Sequence, residues 1–262
     1  MRNYSKELEE AVLKATRQLH EGIEENERRE YGDPTKIKWR FIEELAQKGL
    51  HVNYFYHAES LMPEHKDIIV PMVMKYYDIA TDRGEKGKLI SLLYYKGLDD
   101  AVPFLIDKLY NDVSCYDSGD AWEICDCIYQ IRSKKYIPEY LKIIADPSLG
   151  SSRQMLVSLV GEWKLEQSVP ILINLLEDEG VRLHAISALG CFKREEFRPY
   201  FERFKDDKHP GWRKYSRIAL KKLDAAQSKK ELASRKSCQA RGGPIIIYLV
   251  IWLMTMLDCI KI

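Results

Sequence analysis

The sequence predicts an all-α protein built from one helix pair written five times between Val70 and Leu223. Three observations carry that prediction. An apolar residue followed by proline recurs at Val70-Pro71, Val102-Pro103, Ile137-Pro138 and Val169-Pro170, with Arg198-Pro199 a weaker fifth; the prolines stand 32, 35, 32 and 29 residues apart. A break rich in Asp and Gly follows each: Asp82/Gly84, Asp117/Gly119, Asp146/Gly150, Asp178/Gly180 and Asp207/Gly211. Fixed columns stay apolar on both sides of the break.

In the first helix of each pair, proline suits the first helical position, where its missing N–H has no intrahelical partner to lose. Two residues beyond it stand Val73, Leu105, Tyr140, Leu172 and Phe201; six beyond stand Tyr77, Leu109, Ile144, Leu176 and Lys205. That spacing is one face of a helix. The second helices align on Lys86, Trp122, Arg153, Arg182 and Arg213. Six and seven residues on come Leu92-Leu93, Ile128-Tyr129, Leu159-Val160, Ala188-Leu189 and Ala219-Leu220. One pair cannot bury such a seam alone, so the pairs are expected to stack as a solenoid.

The period alone allows several helical repeats. Val-Pro-Ile-Leu-Ile-Asn-Leu-Leu-Glu-Asp at 169–178, followed by Val-Arg-Leu-His-Ala-Ile-Ser-Ala-Leu-Gly at 181–190, resembles the short HEAT-like repeat family. The match is specific over 137–223 and looser over 70–136, where Leu93-Tyr94 and Tyr129-Gln130 replace Leu-Gly. From Leu45 to Leu223 the chain also looks like a bacterial group of small HEAT-repeat proteins. The resemblance implies a right-handed α-α superhelix with a concave surface and a binding role; it implies no reaction.

Residues 1–69 are expected to form an N-terminal helical cap. A charged helix over 4–31 carries a narrow apolar stripe of Leu8, Val12, Ala15, Leu19 and Ile23. After Gly32-Asp33-Pro34-Thr35, a second helix puts Trp39, Ile42, Leu45 and Ala46 on one face, and Gly49 closes it. His51 to His57 reads as an aromatic loop or short helix, with Leu61-Met62-Pro63 as a further break. The repeat region ends with a helix over 212–223. Residues 224–243 read as a basic linker, and 244–262 as an apolar tail: a short anchor, a helix docked on the repeats, or a terminus altered by frameshift.

A hydrophobic content of 45% with 31% charged residues fits a folded, helical, soluble chain. Six cysteines at irregular spacings read as reduced thiols, and Lys6, Glu7, Glu9 and Glu10 interrupt any apolar leader, so a cytoplasmic monomer is expected. The net charge of +1 hides an uneven spread. From Lys208 to Arg241 eleven Lys/Arg face two acids, leaving residues 1–207 at −8.

The candidate binding residues are Tyr94, Tyr95, Trp122, Asp126, Arg153, Arg182 and Arg213. Tyr95, with Tyr94, falls outside the apolar columns, and exposed Tyr and Trp are common anchors of protein interfaces. Asp126 breaks a column that elsewhere reads Ile90, Val157, Ile186 and Arg217. A carboxylate there needs a buried partner, a tyrosine or arginine, or else a rotated helix that shows Trp122 and Asp126 to a ligand. HEAT-like DNA glycosylases of the alkylpurine type also place a Trp and an Asp one turn apart, and the resemblance stops at that pair. The arginine column, with Lys86, admits two readings. It forms a basic ladder for a phosphate backbone or acidic partner, or each arginine pairs with the aspartate of its own turn: Asp146, Asp178 or Asp207.

His51, His57 and His65 match no ligand spacing, and Cys125 and Cys127 point to nearly opposite sides of a helix. Neither metal nor cofactor is expected. No phosphate-cradling glycine loop, H-E-x-x-H or G-x-S-x-G run stands in the sequence. The leading expectation is a non-catalytic scaffold, adaptor or immunity-type inhibitor that grips a protein partner on its concave face. A nucleic-acid-binding HEAT protein is the alternative, and membrane attachment through 244–262 a third. If the seam is correctly placed, Leu189→Ala costs about 2–5 kcal/mol; a loss below ~1 kcal/mol in urea unfolding would mean that Leu189 lies outside it.

Overall fold

The structure, a computed structural model, describes residues 35–112 and 119–233. The expected 4–31 helix and the 244–262 tail lie outside the described residues. Among the described residues every regular element is helical. The helices are α1 (Ile37–Gln47), α2 (Ala58–Ile79), α3 (Arg83–Ser91), α4 (Val102–Asn111), α5 (Asp120–Ile131), α6 (Ile137–Ala145), α7 (Gln154–Glu162), α8 (Val169–Asn174), α9 (Arg182–Phe192), α10 (Arg198–Glu202) and α11 (210–233). They divide into two compact units, one ending at Leu156 and one beginning at Val157.

Four of the five expected proline starts are found. Pro103, Pro138, Pro170 and Pro199 sit in the first turn of α4, α6, α8 and α10. Each of these helices is entered through a short 3-10 turn: Asp99–Ala101, Lys134–Tyr136, Glu166–Ser168 and Glu195–Phe197. The first repeat differs. Pro71 lies inside α2 rather than at its start, and the backbone leaves the helical region at His65 (φ −127°, ψ 27°), two residues past Pro63, so α2 is two helical stretches joined at a kink. An interior proline costs about 3 kcal/mol. The buried face of Met62, Ile69, Met72, Val73, Tyr76 and Tyr77 offsets it, at about 1.5–3 kcal/mol for each large side chain.

The apolar columns of the sequence are the core. Val73, Leu105, Tyr140, Leu172 and Phe201 are all fully buried. In the six-beyond column Tyr77, Leu109, Ile144 and Leu176 are buried, and Lys205 is half-exposed. In the second helices Leu92, Ile128, Leu159, Ala188 and Ala219 are buried, as are Leu93, Val160 and Leu189; Tyr129 and Leu220 are half-buried.

In the first unit α1 packs on α2, α2 on α3, α3 on α5, and α4 on α5. An aromatic cluster fastens α1: Phe41 meets Phe55 at 5.2 Å and Tyr76 at 5.5 Å, both edge-on. The Tyr76 hydroxyl donates to the Arg40 carbonyl (3.0 Å) and to Glu44 (2.8 Å). Burial, with the Glu44 carboxylate beside it, pushes that phenol up to about 12.

The second unit is held by close approaches at one repeated position. A Cβ on Gly161 of α7 would lie 2.4 Å from Cα and Cβ of Ala188 on α9. A Cβ on Gly190 of α9 would lie 3.1 Å from Cβ of Ala219 on α11. Both glycines stand eight residues after the arginine that heads their helix, and both alanines six after theirs.

The joint after three of the second helices repeats too. Arg132, Lys164 and Lys193 all take left-handed backbone (φ 57°, 52° and 55°), a position where glycine is usual. Each puts a cation beside the negative end of a helix.

α11 extends ten residues beyond Leu223, where a linker was expected. Residues 224–233 lack an apolar period but are rich in helix formers and free of Gly and Pro. Within them Ser228 donates to the Asp224 carbonyl (2.9 Å) and Gln227 to Glu231 (3.0 Å).

Gly161→Ala sets two effects against each other. Helix propensity favours alanine by about 1 kcal/mol. The clash is with backbone that cannot rotate away, at about 1–3 kcal/mol or more. The variant is therefore expected to be less stable in urea or thermal unfolding, whereas a stability gain would show that α7 and α9 are not in contact there.

Candidate binding surface

Past α3 the chain turns through Tyr94 and Tyr95 to Gly97, whose left-handed φ of 87° suits glycine. The Gly97 amide donates to the Ile131 carbonyl at the end of α5 (2.9 Å), which ties this loop to the second helix of the next pair. The loop leaves Tyr95 exposed at 37% and turns Tyr94 inward, its hydroxyl donating to the Glu123 carbonyl (3.3 Å). Burial first, and then the negative charge of Asp126, hold the Tyr94 phenol far above its usual range.

On α5, Trp122 and Asp126 stand one turn apart and part company. The indole is 40% exposed, while Asp126 is buried at 9% and accepts from Gln130 (3.4 Å). The column-breaking carboxylate is thus buried beside a tyrosine. Cys125 and Cys127 are buried beside it, and the Cys127 thiol is pushed up by burial, then by Asp126 and Glu123. Glu123 lies between Asp120 and Asp126 on the same helix. Its Oε2 lies over Gly87 of α3, 2.7 Å from where a Cβ would stand there. Burial raises the Glu123 carboxyl above its usual range; Asp120 and Asp126 add to the shift, and Arg83, paired with Asp120 at 2.6 Å, opposes it.

The arginine column is engaged with main chain. Arg153, 1% exposed, donates to the carbonyls of Ile144 and Gly150, both at 2.9 Å. Arg182, 8% exposed, donates to those of Leu176 (2.6 Å) and Glu177 (3.1 Å), lies 4.1 Å from the Trp212 ring centre and is 3.5 Å from Glu179. Arg213 donates to those of Asp207 (2.6 Å) and Lys208 (3.2 Å). The expected aspartates close the same turns by a different bond. Asp146 accepts from the Ser148 amide (2.9 Å), Asp178 from the Gly180 amide (2.9 Å) and Asp207 from the His209 amide (2.7 Å). Lys86, the fourth cation of this column, bonds an aspartate carboxylate, Asp112, at 2.6 Å. The physical reason is local: the last carbonyls of a helix have no intrahelical donor, and a guanidinium fork fits two of them at once. So Arg153 and Arg182 are buried and present no guanidinium surface to a phosphate backbone.

A feature the sequence reading missed lies beside α2. A groove of ≈ 290 Å³ has an apolar floor of Val70, Met74, Leu98 and Ala101, with Lys66, Asp67, Pro71 and Asp100 at its rim. A second hollow of ≈ 250 Å³ shares Asp67 and Pro71 and is walled by Glu44, Lys48 and Lys75, the last bonded to Glu44 at 2.5 Å. The exposed Pro71 is the ridge between them. The available signal was the pair of prolines in an otherwise apolar stretch, which the repeat alignment absorbed as a helix start.

The fold thus defines an all-helical protein of recurring helix pairs, with exposed aromatics at Tyr95 and Trp122 and an apolar groove along α2. No known family's model matches the chain, and no curated protein matches it.

The Glu123 shift has a sign that can be measured. Because its folded-state carboxyl lies above the unfolded value, the folded chain binds the proton more readily. The stabilising contribution is complete below the unfolded value of about 4.3 and is lost as pH rises through the folded value. Glu123→Gln removes the ionised form, so the variant is expected to unfold at a higher urea concentration than the parent at pH 7. The gap should narrow as pH falls towards the carboxylate range. An identical gap at every pH would mean that the carboxyl is not desolvated.

Proposed function

We propose that the helix pairs continue as one right-handed HEAT-like solenoid, and that the chain works by binding a protein partner rather than by catalysis. The groove beside α2 carries this reading. Its floor is apolar, its rim holds charges of both signs, and one wall is formed from residues 97–101, which follow the exposed Tyr95 in the chain. Such a mixture suits a partner's side chain set into an apolar slot with polar contacts around it. Regulation by occupation, as in an adaptor or an immunity-type inhibitor, follows from a scaffold of this kind. The concave face of the solenoid remains part of the proposal as the wider contact area, in a cytoplasmic, monomeric protein.

The nucleic-acid alternative is the weaker one, because the arginines on which it rested already bond helix-end carbonyls.

The test uses the full-length chain as bait in a lysate of its own host, with a Lys66→Glu, Met74→Lys variant beside it. The parent is expected to retain one protein in near-stoichiometric amount. The groove variant should lose at least about tenfold in affinity, about 1.4 kcal/mol, with its circular dichroism unchanged. A Tyr95→Ala, Trp122→Ala variant tests the other exposed surface. Equal retention by all three chains would overturn the proposal, and so would a preparation that shifts duplex DNA at low salt while capturing no protein.

A further inference from the structure

α11 differs from the other helices in where its charges go. Its buried stripe of Ser216, Ala219 and Leu223 stops at Leu223, and every side chain from Gln227 to residue 233 is exposed. The cations near the body are engaged: Arg213 by the Asp207 and Lys208 carbonyls, and Arg217 by the Lys205 carbonyl (2.8 Å) and Asp206 (2.9 Å). Both acids of the helix are engaged as well. Asp224 accepts from Arg198 (2.7 Å) and Glu231 from Gln227 (3.0 Å).

What remains on the open side is mostly basic, with Glu231 its one carboxylate. Lys214, Lys221 and Lys229 recur along one helical face, with Lys222 at its edge. Among the described residues no carboxylate pairs with Lys221, Lys222 or Lys229. On the same face stand two large apolar side chains that remain exposed, Ile218 at 37% and Leu232 at 55%. The sequence continues in the same sense: Arg235, Lys236 and Arg241 follow, and then 245–257 contains no charged residue.

We infer that this face of α11 lies on an anionic lipid bilayer, with its lysines at the headgroups and Ile218 and Leu232 in the acyl boundary. Lysines interleaved with aliphatic side chains on one helical face suit a helix lying in the membrane interface. An anionic leaflet attracts each lysine near its surface. A nucleic-acid backbone would satisfy the lysines but leave Ile218 and Leu232 without use. The arginines of this helix are already bonded, Arg213 to the Asp207 and Lys208 carbonyls and Arg217 to the Lys205 carbonyl and Asp206. The inference rests on α11 alone and is independent of the groove beside α2.

Sedimentation of the full-length chain with vesicles decides it. The chain is expected to sediment with phosphatidylcholine vesicles that contain phosphatidylserine, far less with phosphatidylcholine alone, and less as salt rises. Lys214→Glu, Lys221→Glu, Lys229→Glu in the full-length chain should weaken partition to the anionic vesicles about a hundredfold, from about fivefold for each lysine. All three side chains are exposed, so the fold is expected to persist, as circular dichroism would check. Ile218→Ser, Leu232→Ser keeps the charge and should lower partition most at raised salt, where the electrostatic share is screened. The inference fails if the triple variant partitions as the parent does, if both vesicle types bind equally, or if duplex DNA is bound more tightly than the anionic vesicles.

Discussion

A chain that breaks its helices every ten to twenty residues must satisfy the polar groups those breaks leave behind, and everything else in this structure depends on how it does so. Each helix end orphans up to four amides or carbonyls, and a buried one without a partner costs about 1–3 kcal/mol. Here one device is used three times. An aspartate takes an amide of the turn onto its carboxylate, as Asp146, Asp178 and Asp207 do. An arginine at the head of the next helix reaches back and covers the carbonyls: Arg153, Arg182 and Arg213. The bond is local, so each turn is complete within its own pair. That frees the side chains along the helices for packing alone.

The packing can then be close. Gly161 against Ala188 and Gly190 against Ala219 bring neighbouring helices near enough that a methyl group on either glycine would collide or crowd. Small residues at one repeated position, with Leu159, Val160 and Leu189 fully buried beside them, make an apolar seam. In the column of Leu93, Val160 and Leu189, Tyr129 and Leu220 are only half-buried. With Tyr94 and Gln130 beside it, the Asp126 carboxylate can occupy an aliphatic column without being stranded.

Much of this was legible in the residues. Val73, Leu105, Tyr140, Leu172 and Phe201 were readable as core from spacing alone, because helical periodicity maps directly onto burial. The extent of α2 was not: proline reads locally as a stop, and only the burial of Ile69, Val73 and Tyr77 shows why the helix continues through it. The end of α11 was missed for the opposite reason, since a helix of good formers needs no apolar face to persist for two turns beyond its last contact. The acceptors of the arginines were invisible because sequence displays side-chain charge and hides main-chain carbonyls. The groove along α2 arises from Val70 and Met74 meeting Leu98 and Ala101, residues far apart in sequence that no single pattern joins. The exposure of Tyr95 was readable from its place outside the apolar columns, and the burial of Asp126 beside a tyrosine was one of the two readings that its column allowed.

The left-handed residues at Arg132, Lys164 and Lys193 give the chain a modular grammar. A segment excised after Lys164 and closed at Lys193 begins and ends in the same backbone conformation, so a tandem copy would meet its neighbours through a junction the protein already contains. Lengthening or shortening such a molecule by whole pairs needs no newly invented hinge. The number of pairs can therefore drift between descendants more freely than the composition of any one of them.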